Sequence, residues 1–316
     1  MENIQMKTNE NNKSQRNILL DIFKYILAFF IISIHFQVIP NLVAFSRFAV
    51  PCFFILSGYF LCKKNPENAG GGILRDIKNF LPYIVVLYTV QLIDFIATKQ
   101  FRDFIGISWY VPAYFFTRIY YIYICKYNLQ KLFFCLIPAL LIGNLMLGSC
   151  SSLIFSSDIP LVLSRNSIFT GLPFFLIGVL IRKSTFKINK FFAFLIIILG
   201  ILILLIQINE FHLVKTLNDN VGDVYISTII GSSLLVYGLT KFKINCSKYI
   251  VEKLYLDKVN FGIYMFHTML GIICQSFLLN NLFSIYCFSF VFAYFFAFIV
   301  DFANIIIKRH NFFQKN

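Results

Sequence analysis

Ten apolar stretches, each close to the length that crosses a hydrocarbon layer as a helix, take up most of this chain. They lie near 18–39, 45–62, 80–98, 109–125, 132–149, 167–181, 191–208, 224–240, 259–279 and 283–307. A soluble fold cannot use so many. Its helices are apolar along one stripe only, and about a quarter of its residues are charged. Here 59% of the residues are hydrophobic and 13% are charged. Inside lipid, every backbone N–H and C=O must be satisfied within the protein, so runs of this kind become helices. The expected architecture is an all-α integral membrane protein with about ten transmembrane helices.

The basic residues set the orientation. With the N-terminus inside, the cytoplasmic segments hold 21 of the 28 Lys and Arg residues, and the outer segments hold five: Arg47, Lys99, Arg102, Arg165 and Lys215. The remaining two, Lys24 and Arg118, fall within helices. Shifting the helix count by one would scramble this alternation, so the asymmetry predicts an even count with both termini inside. It also accounts for the net charge of +14 as a topology signal, and nucleic acid is not expected as a partner. Residues 1–16 form a polar, Asn-rich stretch read as a disordered cytoplasmic tail. Residues 17–308 are read as one transmembrane domain and 309–316 as a second cytoplasmic tail. The first apolar stretch contains Asp21 and Lys24 and has no small-x-small site after it, so it reads as a retained span rather than a cleaved signal. The Lys63–Asn79 segment, with Gly70-Gly71-Gly72, is expected to be a flexible loop. The eight cysteines show neither CxxC nor Cys/His ligand spacing, so neither a metal site nor a disulfide framework is expected.

Against this lipid-soluble background, Lys24 and His35 stand out in the first stretch. A helix turns 100° per residue, so eleven steps bring His35 back to within about 20° of Lys24, roughly 16 Å further along. Asp21 and Ala28 share the stripe, and Asp21 is a local partner for Lys24 at three residues' spacing. Ionisable groups at this depth are costly, and they usually face a cavity and serve a function. Arg47 is expected at the outer mouth near His35. Ser57 and Gly58 can serve as a packing notch, because small residues let membrane helices approach closely. Trp109 and Tyr110 fit an aromatic belt, with a sugar-stacking platform as the other reading. Arg165 and Asn166, at the outer start of a helix, can bind acceptor hydroxyls or an anionic group, or cap the helix at the interface. Arg118 sits in an apolar helix with no obvious acidic partner nearby. His267, about nine residues inside its helix, can face the same cavity as His35. Asp158, Glu210, Asp219 and Asp223 fall in outer segments, and no local pattern selects one of them as a partner for the histidine.

Several of these residues lie in motifs. Lys24-x10-His35, followed by Phe53-Phe54-Ile55-Leu56-Ser57-Gly58-Tyr59, resembles the membrane-bound acyltransferase-3 family, whose members O-acylate cell-envelope sugars. Looser likenesses follow in Ser108-Trp109-Tyr110-Val111-Pro112-Ala113, in Arg165-Asn166-Ser167-Ile168-Phe169-Thr170-Gly171-Leu172-Pro173-Phe174-Phe175, and in Asn260-Phe261-Gly262-Ile263-Tyr264-Met265-Phe266-His267. The resemblance spans about residues 16–305. Lys24 stands where many members carry Arg, which keeps the charge but loses the guanidinium fork. Asn260 stands where Ser is common.

The resemblance implies transfer of acetyl from cytosolic acetyl-CoA to a hydroxyl of an envelope polysaccharide or lipid-linked glycan, at a bacterial plasma membrane and with no bound cofactor. Lys24 would attract the acyl donor. His35 would either deprotonate the acceptor hydroxyl or carry the acyl group itself. Arg47, Ser57, Gly58, Tyr59, Trp109, Arg165, Asn166 and His267 would shape the site or bind the acceptor. Membrane lipid and the glycan acceptor are the expected partners. The alternative is a transporter or flippase for an envelope precursor, which would share the buried ionisable residues. The paired halves with broken helices common in transporters are not evident here.

Overall fold

Each of the ten apolar stretches is helical over most of its described length. The computed structural model describes residues 15–36, 39–62, 69–98, 109–155, 159–217, 222–247, 256–276 and 282–313. Its helices are α1 (Ile18–Phe36), α2 (Pro40–Ser46), α3 (Ala49–Leu61), α4 (Ala69–Thr98), α5 (Tyr110–Lys126), α6 (Gln130–Leu147) and the short α7 (Ser151–Phe155). They continue with α8 (Leu172–Lys183), α9 (Lys190–Leu217), α10 (Ile226–Lys241), α11 (Leu256–Ser276) and α12 (Leu282–Phe313). Among the described residues, besides helices there is one small ladder, in which β1 (Gln15–Asn17) pairs antiparallel with β2 (Asn245–Ser247). Among the described residues, five stretches are long and apolar enough to cross a membrane: Ile18–Phe36, Pro40–Leu61, Gln130–Leu147, Lys190–Thr216 and Phe283–Val300.

Burial separates a central layer from a peripheral one. The α2–α3 stretch is 72% buried across its most apolar window, whereas α9 and α12 are each 22% buried. Phe191, Phe192, Leu199, Leu202 and Ile206 on α9 are exposed, as are Val291, Phe295, Phe298 and Ile299 on α12. In water, an apolar belt of this size would drive aggregation; against lipid tails it is matched to its surroundings.

The centre is built on a crossing of α3 and α8. A Cβ placed on Gly58 would stand 1.9 Å from the carbonyl oxygen of Phe175, and one on Gly178 would stand 1.9 Å from that of Ile55. The two backbones therefore touch at a pair of glycines, one on each helix. Phe54, Ile55, Phe174, Phe175 and Leu176, fully buried, seal the contact. Gly58 is thus a packing residue, and Ser57 beside it is carried at a fixed height on α3.

The connections sort into two ends. At one end Ile18 N–H donates to Ile244 O (3.0 Å), Lys241 Nζ to Phe186 O (2.9 Å), Lys183 Nζ to Gln130 Oε1 (2.6 Å) and Arg182 to the Tyr59 hydroxyl (3.2 Å). At the other, Gln207 Nε2 donates to Ala44 O (2.5 Å), His212 meets Asn41 (2.9 Å), and Ser149 donates to Val224 O.

Two expectations change. The Lys63–Asn79 segment is not a loop throughout: α4 begins at Ala69 and carries the glycines into helix, while residues 63–68 lie outside the described residues. Tertiary contact overrides the poor helix propensity of glycine here. Asp76 on this extension forms an ion pair with Arg118, and Gly72 lies so close to that guanidinium that a Cβ would stand 3.0 Å from Nη2. Of the tail over 1–16, residues 1–14 lie outside the described residues, and Gln15 and Arg16 pair in β1.

Asp76 is the partner of Arg118 that the sequence did not reveal. Arg118 is 2% exposed and Asp76 23% exposed. Removing one member strands a buried charge, so Asp76→Asn is expected to lower stability by on the order of 2–3 kcal/mol, discounted for the partial exposure of Asp76. Adding Arg118→Met removes the stranded charge and should recover most of that loss. Thermal unfolding of the three proteins in detergent checks this; a double variant as unstable as Asp76→Asn would contradict it.

Candidate active site

Helix α1 is unbroken from Ile18 to Phe36, so Lys24 and His35 do share a face, about 16 Å apart along the axis. Lys24 Nζ lies 3.1 Å from Asp21 Oδ1 and 4.8 Å from the centre of the Phe60 ring. Ala28, midway, is buried. The stripe therefore has its cation toward one end of the bundle and its imidazole at the other.

His35 occupies the last turn of α1 and is exposed. Its ring centre is 5.0 Å from that of His267, with 40° between the planes. His267 is buried in the middle of α11, at 3% exposure. Its Nδ1 lies 2.5 Å from the Tyr264 carbonyl oxygen. A carbonyl can only accept, so that nitrogen carries the proton and Nε2 keeps a lone pair. Nε2 is buried and has no hydrogen-bond partner among the described residues. An acceptor atom with nothing to accept is costly, and the imidazole of His35 is the polar group beside it.

Charges gather at the same end. Arg47, in the turn between α2 and α3, and Arg165, before the π turn that leads into α8, both bind the carboxylate of Asp223, which lies just ahead of α10. Arg165 engages it twice, through Nε to Oδ2 and through Nη2 to Oδ1 at 3.0 Å. Arg47 engages it through Nη1 and stands over the Phe211 ring. The Ser33 and Ser46 hydroxyls lie 2.6 Å apart, which ties the residue before Arg47 to the turn of α1 that carries His35. Burial works against the charge of Asp223, but Arg165 and then Arg47 outweigh it and hold the carboxyl down at about 2. The stabilisation from this bridge is complete above the unfolded carboxylate value near 3.9 and is lost progressively as the pH falls from there through about 2.

A run of rings connects this end with the middle of the bundle. Tyr264 lies 5.9 Å from His267, Tyr110 lies 5.3 Å from Tyr264, and Tyr114 stacks 6.1 Å from Tyr110. Ser57 Oγ donates to Phe53 O (2.7 Å) and lies 3.5 Å from the Tyr110 hydroxyl. The Tyr114 hydroxyl reaches Asp76 (3.3 Å) and Arg118 (3.4 Å).

The structure thus divides the expected site residues. His35, His267, Arg47 and Arg165 come together. Ser57 lies two rings away, behind Tyr110 and Tyr264, and Lys24 occupies the opposite part of the stripe. Tyr59 belongs to the far end, where its hydroxyl accepts from Arg182. Gly58 serves the α3–α8 crossing. Trp109 packs by Phe54, ring centres 6.5 Å apart. Asn166 is a cap: its Oδ1 accepts from the N–H groups of Ile168 (2.8 Å) and Phe169 (2.9 Å), and its Nδ2 donates to Leu163 O (2.6 Å). Sequence reasoning left Asp223 as one of four acidic candidates, assigned Tyr110 to an aromatic belt and did not single out Tyr264. Tyr264 precedes His267 by three residues, one helical turn, and that spacing could have flagged it. Asp223 is 188 residues from His35 and carries no local signal.

A family model described as an acyltransferase domain matches residues 17–302. No curated protein and no solved structure matches the chain.

Proposed function

The chain belongs to the acyltransferase-3 family and is a multi-pass membrane acyltransferase, and from this premise we propose that it moves acetyl from cytosolic acetyl-CoA to a hydroxyl of a cell-envelope polysaccharide or its lipid-linked precursor. The observation that carries the reading is the His35–His267 pair beside the Arg47–Asp223–Arg165 cluster at one end of α1, with Lys24 on the same stripe toward the other.

The donor is on one side of the membrane and the acceptor on the other. Lys24 attracts the anionic donor from the inner end, and the thioester reaches His35. His267 Nε2 can accept an N–H of His35, which leaves the other His35 nitrogen basic and aimed away from the pair. As a base, that nitrogen takes the acceptor's hydroxyl proton while the oxygen attacks the thioester carbon. The thiolate leaves and collects the proton from the imidazolium. As a carrier, the nitrogen itself attacks, the thiolate leaves, and the acyl-imidazole passes its acetyl to the hydroxyl in a second step. Both routes use the same residues.

Ten spans with both termini inside fit this arrangement. In support, the described parts of the segments expected inside (15–18, 126–131, 182–190 and 241–247) bond to one another at one end, and those expected outside bond at the other. A bacterial plasma membrane is the proposed location. The comparisons give no support to the transport alternative.

Native membranes supplied with labelled acetyl-CoA test the activity. Base-labile label should enter the glycan or lipid-linked fraction only when the protein is present. Label that is independent of the protein, in membranes that retain their envelope glycan, would sink the reading.

A further inference from the structure

Among the described residues the outer cluster is not balanced. Arg47 and Arg165 share one carboxylate there, so these three side chains together keep one positive charge. A guanidinium has five N–H donors, and the pair directs three bonds at Asp223. The Arg47 side chain is 10% exposed, and its Nε is buried with no hydrogen-bond partner among the described residues. Glu210 does not supply the missing charge. Its Oε2 accepts from the backbone N–H of Ser227 (3.2 Å) and from the Ser227 hydroxyl, at the N-terminal turn of α10, where a carboxylate is already well placed. Among the described residues, no carboxylate other than Asp223 touches either guanidinium.

An unmatched, partly buried cation with idle donors needs an anion. Two guanidiniums that converge on one point suit an anion with several oxygens, because each fork can take two of them. We propose that Arg47 and Arg165 form a recognition subsite for a phosphoryl group of the acceptor, within reach of the hydroxyl presented to His35. Asp223 holds the two forks in register while the subsite waits and shares them when the phosphoryl group arrives. The phosphoryl group belongs either to a lipid-linked carrier or to the glycan itself. The word acceptor rests on the acyl-transfer reading; the anion subsite does not.

The test is therefore a binding measurement without acetyl-CoA. Inorganic pyrophosphate is titrated into the purified full-length protein, with chloride at matched ionic strength as the control, and thermal unfolding is followed. The wild type should be stabilised by pyrophosphate beyond the chloride control. Arg165→Lys keeps the charge but lacks the fork, and should bind roughly tenfold more weakly, the change expected for one lost charge-assisted hydrogen bond. Arg165→Gln should lose the response. Asp223→Asn, with a competing carboxylate removed, should bind pyrophosphate more tightly. An equal response in all four proteins, or none in the wild type, overturns the proposal. Repeating the titration with a long-chain prenyl diphosphate in nanodiscs separates the two sources. Tighter binding than pyrophosphate assigns the subsite to a lipid carrier, and equal binding assigns it to the glycan. Pyrophosphate binding without acetyl transfer would leave the subsite standing and remove the enzyme reading; transfer without pyrophosphate binding would do the reverse.

Discussion

His35→Ala is expected to reduce acetyl transfer by roughly 10²–10⁴-fold, the range over which a positioned general base contributes. Stability should barely change, because the His35 side chain is exposed and its removal leaves no buried hole. The size of the loss separates the two routes. A base can be replaced in part by water, so a residual rate survives. A carrier cannot, and the loss is then complete. Brief labelling without acceptor adds a second readout: a carrier leaves acetyl on the protein, released by hydroxylamine and absent from His35→Ala. His267→Ala should also lower the rate, by less, because its Nε2 orients the reacting ring and touches no substrate. Lys24→Ala should raise the acetyl-CoA concentration needed for half-maximal rate more than it lowers the rate at saturation, since Lys24 holds the donor away from the reacting atoms. An unchanged rate for His35→Ala would remove the site from this end of α1.

A large structural effect is also expected at the α3–α8 crossing. Gly58→Ala places a methyl group 1.9 Å from a backbone oxygen and 2.8 Å from a backbone carbon of Phe175. Neither can swing aside as a side chain would, so the helices must separate along their whole contact. Overpacking of this kind costs about 1–3 kcal/mol and sometimes more. Gly178→Ala forces the same separation from the other helix, its methyl group meeting Ile55 O at 1.9 Å and Tyr59 N at 2.9 Å. Once the helices have parted for one methyl group, the second meets less resistance. The double variant should therefore lose less stability than the two single losses added together. Unfolding midpoints of the three variants in detergent measure this, and strict additivity would show that the two glycines do not report on one crossing. Activity should fall with stability, because the same movement carries Ser57 away from Tyr110.

How much of this was legible in the sequence depended on the distance between the partners. The shared face of Lys24 and His35 follows from helical rotation alone, and the Asp21–Lys24 pair from three-residue spacing; both are present in α1. Small residues at Ser57-Gly58 announced a close approach, although the partner, Gly178, is 120 residues on. What could not be read was long-range or ran against local preference. Asp223 meets Arg47 across 176 residues and Arg165 across 58; four outer acidic residues looked alike in the sequence, and of these Asp158 and Asp219 lie outside the described residues. Asp76 was hidden because three glycines argued for a loop, whereas the helix that contains them sets Asp76 against the buried Arg118. Asn166 offered two roles at a helix start, and its bonds to three backbone groups assign it to capping.

The central claim is that one helix stripe receives its donor at the Lys24 end and performs chemistry at the His35 end. Sealed native membrane vesicles of the two orientations, supplied with membrane-impermeant labelled acetyl-CoA, test it directly. The account predicts base-labile label in the glycan or lipid-linked fraction when the cytoplasmic face is outward, and none when it is enclosed. Equal labelling in both orientations, or labelling only when the outer face meets the donor, would contradict it.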